Sequence, residues 1–128
     1  FPGLLADDGL YLRAAAGFCV QFFAAWAVFY FYPTRMARVP VSGDSPSARA
    51  VRGLFAVDLG YNIFPSLHVA NAFYVACLAA RFLPLTWSLS FFAAAVLISV
   101  STVLIKQHYL VDIPAGIILG LAAYALVF

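Results

Sequence analysis

Four long stretches without a charged side chain constrain most strongly what this chain can fold into. No Asp, Glu, Lys or Arg occurs in Ala14–Thr34, Leu59–Ala80, Phe82–Ile105 or Ile113–Phe128. A helix needs about 20 consecutive apolar residues to cross the hydrocarbon core of a bilayer, and the first three stretches reach that length. The fourth reaches it if its helix begins one turn earlier. The sequence therefore predicts an all-α integral membrane protein, a bundle with four transmembrane helices in this chain.

The composition agrees with a membrane protein and excludes two other classes. Hydrophobic residues make up 66% of the chain and charged residues 9%, against roughly a quarter charged in soluble domains. A net charge of +2 is too weak to attract nucleic acid, so we expect no nucleic-acid partner. The two cysteines, Cys19 and Cys77, lie inside apolar stretches and indicate no disulfide framework.

The order of the spans brings the polar residues to one face of the membrane. Pro and Gly interrupt residues 33–62, which we expect to form a loop with a short amphipathic helix near Ser47–Val57. Because successive spans alternate direction, this loop, the start of the second helix, the end of the third and the start of the fourth share one face. We expect residues 1–128 to form a single transmembrane catalytic domain, with residues 33–62 on the active-site side. The predicted helices are Ala14–Tyr32, Pro65–Leu83, Leu85–Ile105 and Leu110–Phe128.

The start of the second helix is a predicted anion site. Pro65 suits a first helical turn, where its missing N–H group would have no partner anyway. Ser66, Leu67 and His68 then lie at a helix N-terminus, which presents free N–H groups and the positive end of the helix dipole. A phosphate group is the expected ligand.

A second cluster, Lys106, His108 and Asp112, lies between the third and fourth helices. In a helix, the spacing of four residues lets Asp112 accept a hydrogen bond from one nitrogen of His108 and leaves the other nitrogen free to react. Pro114 opposes a helix at the residue before it. Two histidines, a carboxylate and several cations at a membrane face indicate phosphoryl chemistry on a lipid. A metal site with two histidines and one carboxylate is the alternative.

These residues resemble the type 2 phosphatidic acid phosphatase superfamily of integral-membrane lipid phosphatases and phosphotransferases, whose motifs are KxxxxxxRP, PSGH and SRxxxxxHxxxD. The chain has the sequence PSLH at residues 65–68, and Ser101, His108 and Asp112 have the spacing of the third motif. Leu67 replaces the family glycine, as in the branch of proteins similar to inositol-phosphorylceramide synthase. Thr102 replaces the family arginine. Because the family has six spans, the resemblance implies a six-helix core of which two N-terminal helices lie outside this chain.

The resemblance implies a displacement in two steps. His108 attacks phosphorus, Asp112 orients the imidazole ring of His108, and His68 protonates the leaving oxygen and then activates the acceptor. The first motif is degenerate, and its anion-binding role passes to Arg35 and Arg38. The expected phosphate-binding residues are Arg35, Arg38, Ser66, Leu67 and Lys106, with no cofactor and no metal ion.

Three functions remain open at this point. The predicted function is hydrolysis of a lipid phosphate or diphosphate in the bilayer, with transfer of a phospho-headgroup between lipids as the second possibility. A transporter or proton-relay bundle, using the same buried His, Lys and Asp, is the third. The family places its site on the extracytoplasmic side, which we adopt, although the arginines of the loop favour the cytoplasm by the positive-inside rule. The lipid and the oligomeric state do not follow from the sequence. In the fourth helix, Gly116 and Gly120 predict close helix packing.

Overall fold

The chain is helical in a computed structural model that describes residues 8–105 and 108–128. The described part contains no named strand, which confirms the all-α class. The amphipathic helix predicted near Ser47–Val57 is present as α2, between the first and second long helices. The five helices are α1 (Asp8–Phe31), α2 (Pro46–Val57), α3 (Leu67–Phe82), α4 (Leu85–Leu104) and α5 (Asp112–Val127).

Of the four predicted membrane spans, two are long enough to cross a membrane in the described part of the chain, and two are shorter than predicted. Only α1 and α4 are long and apolar enough to cross a membrane, with 24 and 20 residues. Helices α3 and α5 are apolar but have 16 residues each. At 1.5 Å per residue each is about 24 Å long, which is less than the roughly 30 Å of a hydrocarbon core.

The two short helices begin later than predicted, for local reasons. Pro65 lies before α3 and not in its first turn. The N-cap of α3 is Ser66, whose backbone is extended (φ −70°, ψ 109°) and whose hydroxyl accepts a hydrogen bond from the N–H of Val69. Helix α5 begins at Asp112, after a turn in which Asp112 donates its N–H to the carbonyl of Tyr109.

Helix α3 lies at the centre of the bundle and packs against α1, α4 and α5. Its contact with α5 depends on the two glycines of α5. A Cβ atom at Gly116 would lie 2.7 Å from the carbonyl oxygen of Ser66, and one at Gly120 would overlap the carbonyl oxygen of Ala70. The predicted role of these glycines in close packing is therefore confirmed, and it brings the N-terminal half of α3 against α5.

A single tyrosine joins α3 to α1. Tyr74 is fully buried, and its hydroxyl donates a hydrogen bond to the carbonyl of Ala14 over 2.9 Å. Its ring fills the space that a side chain at Gly17 would occupy. Small residues on one face of α1 thus admit a large side chain of α3.

The helices direct their large apolar side chains outward. Phe23, Trp26 and Leu97 are each more than half exposed, at 64%, 57% and 68%. Large apolar side chains exposed in this way are unfavourable in water, whereas the hydrocarbon core of a bilayer accommodates them. Together with the length of α1 and α4, this arrangement indicates association with a membrane.

Candidate active site

Both histidines line one cavity of about 300 Å³ at the N-terminal end of α3. Their ring centroids are 5.7 Å apart and the rings are inclined by 65°. The fold therefore brings together the two clusters that the sequence separates by two predicted spans. The lining residues are Phe29, Asp58, Tyr61, Asn62, Ile63, Leu67, His68 and His108.

The predicted contact between His108 and Asp112 is present, but the backbone that carries it differs from the prediction. His108 precedes the turn that leads into α5, and Asp112 is the first residue of that helix. Nδ1 of His108 lies 3.2 Å from Oδ2 of Asp112, and this oxygen also accepts the backbone N–H of Tyr109 over 2.9 Å. Both side chains are buried, at 6% and 1% exposure. When Nδ1 of His108 carries the ring proton and donates this hydrogen bond to the carboxylate of Asp112, Nε2 of His108 keeps its lone pair.

The end of α4 holds His108 from the other side. The backbone N–H of His108 donates to the carbonyl of Thr102 over 3.1 Å. Thr102 is buried, and its hydroxyl donates to the carbonyl of Ser99 over 2.8 Å. At the position of the family arginine, this chain therefore has a residue whose side chain bonds within its own helix and whose carbonyl positions His108.

The N-terminus of α3 forms one wall of the cavity. Leu67 and His68 are the first two residues of the helix and both line the cavity, as their predicted roles require. Ser66, predicted to bind phosphate, is fully buried, is absent from the cavity lining and caps the helix through its hydroxyl. The first N–H groups of a helix have no partner within it, so this end can receive an anion.

The wall opposite α3 comes from two chain segments that pair with each other. The hydroxyl of Thr34 accepts the N–H groups of Ile63 and Phe64 over 3.0 and 3.1 Å. Asn62 donates its N–H to the carbonyl of Thr34 over 2.8 Å. Asn62 itself has a positive φ of 55°, a conformation that asparagine adopts more readily than most residues. Thr34, three residues after the end of α1, is thus hydrogen-bonded to the segment that leads into α3.

The two predicted arginines lie behind residues that line the cavity. The guanidinium of Arg35 is exposed and lies 5.1 Å from the ring centroid of Tyr61. Nη2 of Arg38 lies 2.9 Å from Oδ2 of Asp58, although no guanidinium nitrogen of Arg38 has hydrogen-bond geometry toward a described residue. Its guanidinium nitrogens are buried beside Asp58, which itself lines the cavity. Lys106, the third predicted cation, lies outside the described residues.

Sequence reasoning missed three polar residues of the cavity, namely Asp58, Tyr61 and Asn62. Oδ1 of Asp58 accepts the N–H of Gly60 over 3.0 Å, which holds the carboxylate at the cavity beside Arg38. No motif contains these residues. The available signal was the proximity of Asp58 and Gly60, a pairing typical of a turn that ends a helix.

The cavity has the parts that phosphoryl transfer needs: a buried imidazole with an oriented lone pair, a second imidazole beside it, a helix N-terminus and nearby guanidinium groups. Among residues 8–105 and 108–128, no three His, Cys, Asp or Glu side chains are grouped so that they could hold a metal ion.

Comparison with known proteins agrees with this chemistry. A sequence model of the PAP2 superfamily matches residues 3–126, almost the whole chain. No curated protein and no solved structure matches the chain significantly. The match covers α1 to α5 and includes both histidines and Asp112. The chain therefore belongs to the PAP2 superfamily, whose members are phosphoric-ester hydrolases or phosphotransferases.

Proposed function

We propose that this protein is an integral-membrane phosphatase that hydrolyses a lipid phosphate or diphosphate through a phosphohistidine. The observation that carries the proposal is the buried His108–Asp112 pair, which lies beside His68 in one cavity. A hydrogen bond from Nδ1 to the carboxylate leaves Nε2 as the nucleophile, and the negative charge of Asp112 stabilises the positive charge that the ring gains.

The reaction balances in two displacements. In the first, Nε2 of His108 forms a bond to phosphorus, the bond from phosphorus to the leaving oxygen breaks, and His68 donates a proton to that oxygen. In the second, His68 takes a proton from water, the water oxygen attacks phosphorus, and the bond to His108 breaks. The exposed side chain of His68 suits both steps, because it must exchange protons with water or with the leaving group.

Binding of the phosphate oxygens is assigned to groups around the cavity. The N–H groups of Leu67 and His68 supply the helix N-terminus, and Arg38 supplies a guanidinium that is ion-paired with Asp58 at the cavity. Arg35 and Lys106 add positive charge, and Ser66 contributes by capping α3. These groups stabilise the charge of the transition state, and the scheme needs neither a cofactor nor a metal ion.

The proposal includes the bilayer. We place all four apolar helices in the membrane, with α3 and α5 covered at their ends by the polar segments that form the cavity. We place the site on the extracytoplasmic face and the chain within a six-helix core, as the family resemblance implies. Leu67 in the second motif supports the branch similar to inositol-phosphorylceramide synthase.

Phosphate release tests the proposal. Purified full-length protein in detergent, with a chelator present, is incubated with a panel of lipid phosphates and diphosphates. We compare the wild type, His108→Ala and the matched control Leu110→Ala, which alters an exposed side chain of the same turn. We expect release by the wild type and the control, and none by His108→Ala.

The possible results separate the candidate functions. Release that is unchanged in His108→Ala would overturn the phosphohistidine. Release that requires a diacylglycerol, ceramide or sugar acceptor would replace hydrolysis with transfer. No reaction with or without an acceptor would overturn the enzymatic function and favour a transporter.

A further inference from the structure

A second cavity lies between α3 and α4 and shares His68 with the cavity of the candidate active site. Its volume is about 510 Å³, and its walls are almost wholly apolar. Ala72 and Val75 of α3 face Ala94 and Ile98 of α4 across it. One imidazole therefore borders the proposed phosphate site on one side and an apolar cavity on the other.

The apolar cavity continues along α4. A smaller cavity of about 200 Å³ extends to Trp87 and shares Phe91 and Ala94 with the first. We call the two cavities together the α3–α4 groove. From Ile98 to Trp87 the groove follows α4 for about 16 Å, at 1.5 Å per residue. This length is about half of the thickness of a hydrocarbon core, and the groove ends near the N-terminus of α4, at the end of the bundle opposite the candidate active site.

Small side chains open the groove. Alanines at positions 72, 94 and 95 leave space between α3 and α4. At the neighbouring contact between α3 and α5, by contrast, the two glycines of α5 pack directly against the backbone of α3. The polar groups at the groove lie at its end beside the active site, where His68 and Asn71 are found, and at Ser90 further along α4. The groove thus has a polar end at the proposed chemistry and an apolar path into the membrane.

We propose that the α3–α4 groove binds a hydrocarbon chain of the substrate while its phosphate lies beside His108. The inference rests on the proposed function and specifies its substrate class: a phosphate ester that carries a long, slender apolar chain, which extends from His68 along α4 toward Trp87. Because His68 lies where the two cavities meet, the oxygen that joins chain and phosphate would lie next to it. That oxygen is the one that His68 protonates in the proposed reaction.

A pair of substitutions on α4 tests the groove. Ala94→Phe places a ring in the groove, whereas Ala93→Phe adds the same ring at an exposed neighbouring residue that lines neither cavity. The substrates are a phosphate ester with a chain of 16 carbons and a water-soluble ester with a chain of four. We expect Ala94→Phe to lower kcat/KM for the long ester at least tenfold and for the short ester less than twofold. Ala93→Phe should change neither.

Equal effects of the two variants on the long ester would overturn the groove as the chain site and leave the phosphatase function intact. Loss of both substrates in Ala94→Phe would indicate misfolding, and a second measurement then decides. A lipid phosphate with a photoreactive diazirine in its chain is cross-linked to the wild-type protein, and the labelled peptides are located by mass spectrometry. Labels within residues 71–75 or 87–98, which line the groove, support the proposal, and labels confined to residues outside the groove overturn it. If the wild type cleaves neither ester, the proposed function fails, while the cross-link still reports on the groove.

Discussion

At the scale of single residues, the reactivity of His108 should depend on the carboxylate of Asp112 that it contacts. Asparagine at this position keeps the volume but removes the charge that stabilises a positively charged ring on His108. Its amide can also face Nδ1 and favour the tautomer in which Nε2 carries the proton and cannot attack. We expect Asp112→Asn to lower kcat for phosphate release by about a hundredfold or more, as loss of acid–base machinery commonly does.

The control for this prediction is the folded state. Because Asp112 is 1% exposed, its replacement could also destabilise the protein, so thermal unfolding in detergent is measured alongside activity. A variant that unfolds near the wild-type temperature and retains half of its activity would show that Asp112 does not orient the nucleophile.

The sequence predicts the reacting residues better than the surroundings that hold them. His68, His108 and Asp112 follow from spacing and from the family resemblance, and the structure places them together. Asp58 does not follow, because its position at the cavity depends on the backbone of Gly60 and on the fold of a loop without a motif. The capping role of Ser66 does not follow from the sequence either. The sequence motif is compatible with a hydroxyl that binds phosphate, and only the observed start of α3 at Leu67 identifies this hydroxyl as the helix cap.

At the scale of helices, the cap of α3 can be tested against a matched cap elsewhere. Ser66 caps α3 and Ser45 caps α2, each through a hydroxyl that accepts the N–H three residues later. We expect Ser66→Ala and Ser45→Ala each to reduce stability by about 1 kcal/mol. The inhibition constant for inorganic phosphate should change less than threefold in both. A tenfold weaker inhibition in Ser66→Ala alone would show that its hydroxyl binds phosphate directly.

The contact between α3 and α5 should tolerate no added atom. A Cβ atom at Gly120 would overlap the carbonyl oxygen of Ala70, so Gly120→Ala must separate the helices or shift their register. We expect a loss of about 1 to 3 kcal/mol in unfolding free energy, the usual cost of overpacking. Ala122→Val, at an exposed position of the same helix, is the control and should cost far less. Equal thermal unfolding of the two variants would contradict the close packing.

The positions of the helix ends cannot be predicted from the charge-free stretches alone. Absence of charge predicts α1, α3, α4 and α5 in the correct order, because each must bury or embed its apolar residues. It does not predict that α3 begins only after the capping residue Ser66, or that α5 begins only at Asp112. These starts depend on hydrogen bonds at single residues, and they shorten two helices to 16 residues.

At the scale of the whole molecule, the orientation of the site in the membrane is open to a direct test. Helix α4 is 20 residues, or about 30 Å, long, and its C-terminal end lies near residues 39–41 and α2. Its N-terminal end lies at the turn after α3, so Ser47 and Thr86 mark opposite ends of the bundle. Four arginines on the side of Ser47 favour the cytoplasm by the positive-inside rule, whereas the proposed function places that side outside.

Single cysteines distinguish these two orientations. In full-length protein with Cys19→Ala and Cys77→Ala, Ser47→Cys or Thr86→Cys is introduced, and both positions are exposed and leave every charge in place. Intact cells are treated with a maleimide that does not cross membranes. We expect label at position 47 before permeabilisation and at position 86 only after it. The reverse pattern would place phosphate release in the cytoplasm, and the arginines would then act as topological signals in addition to any contact with phosphate.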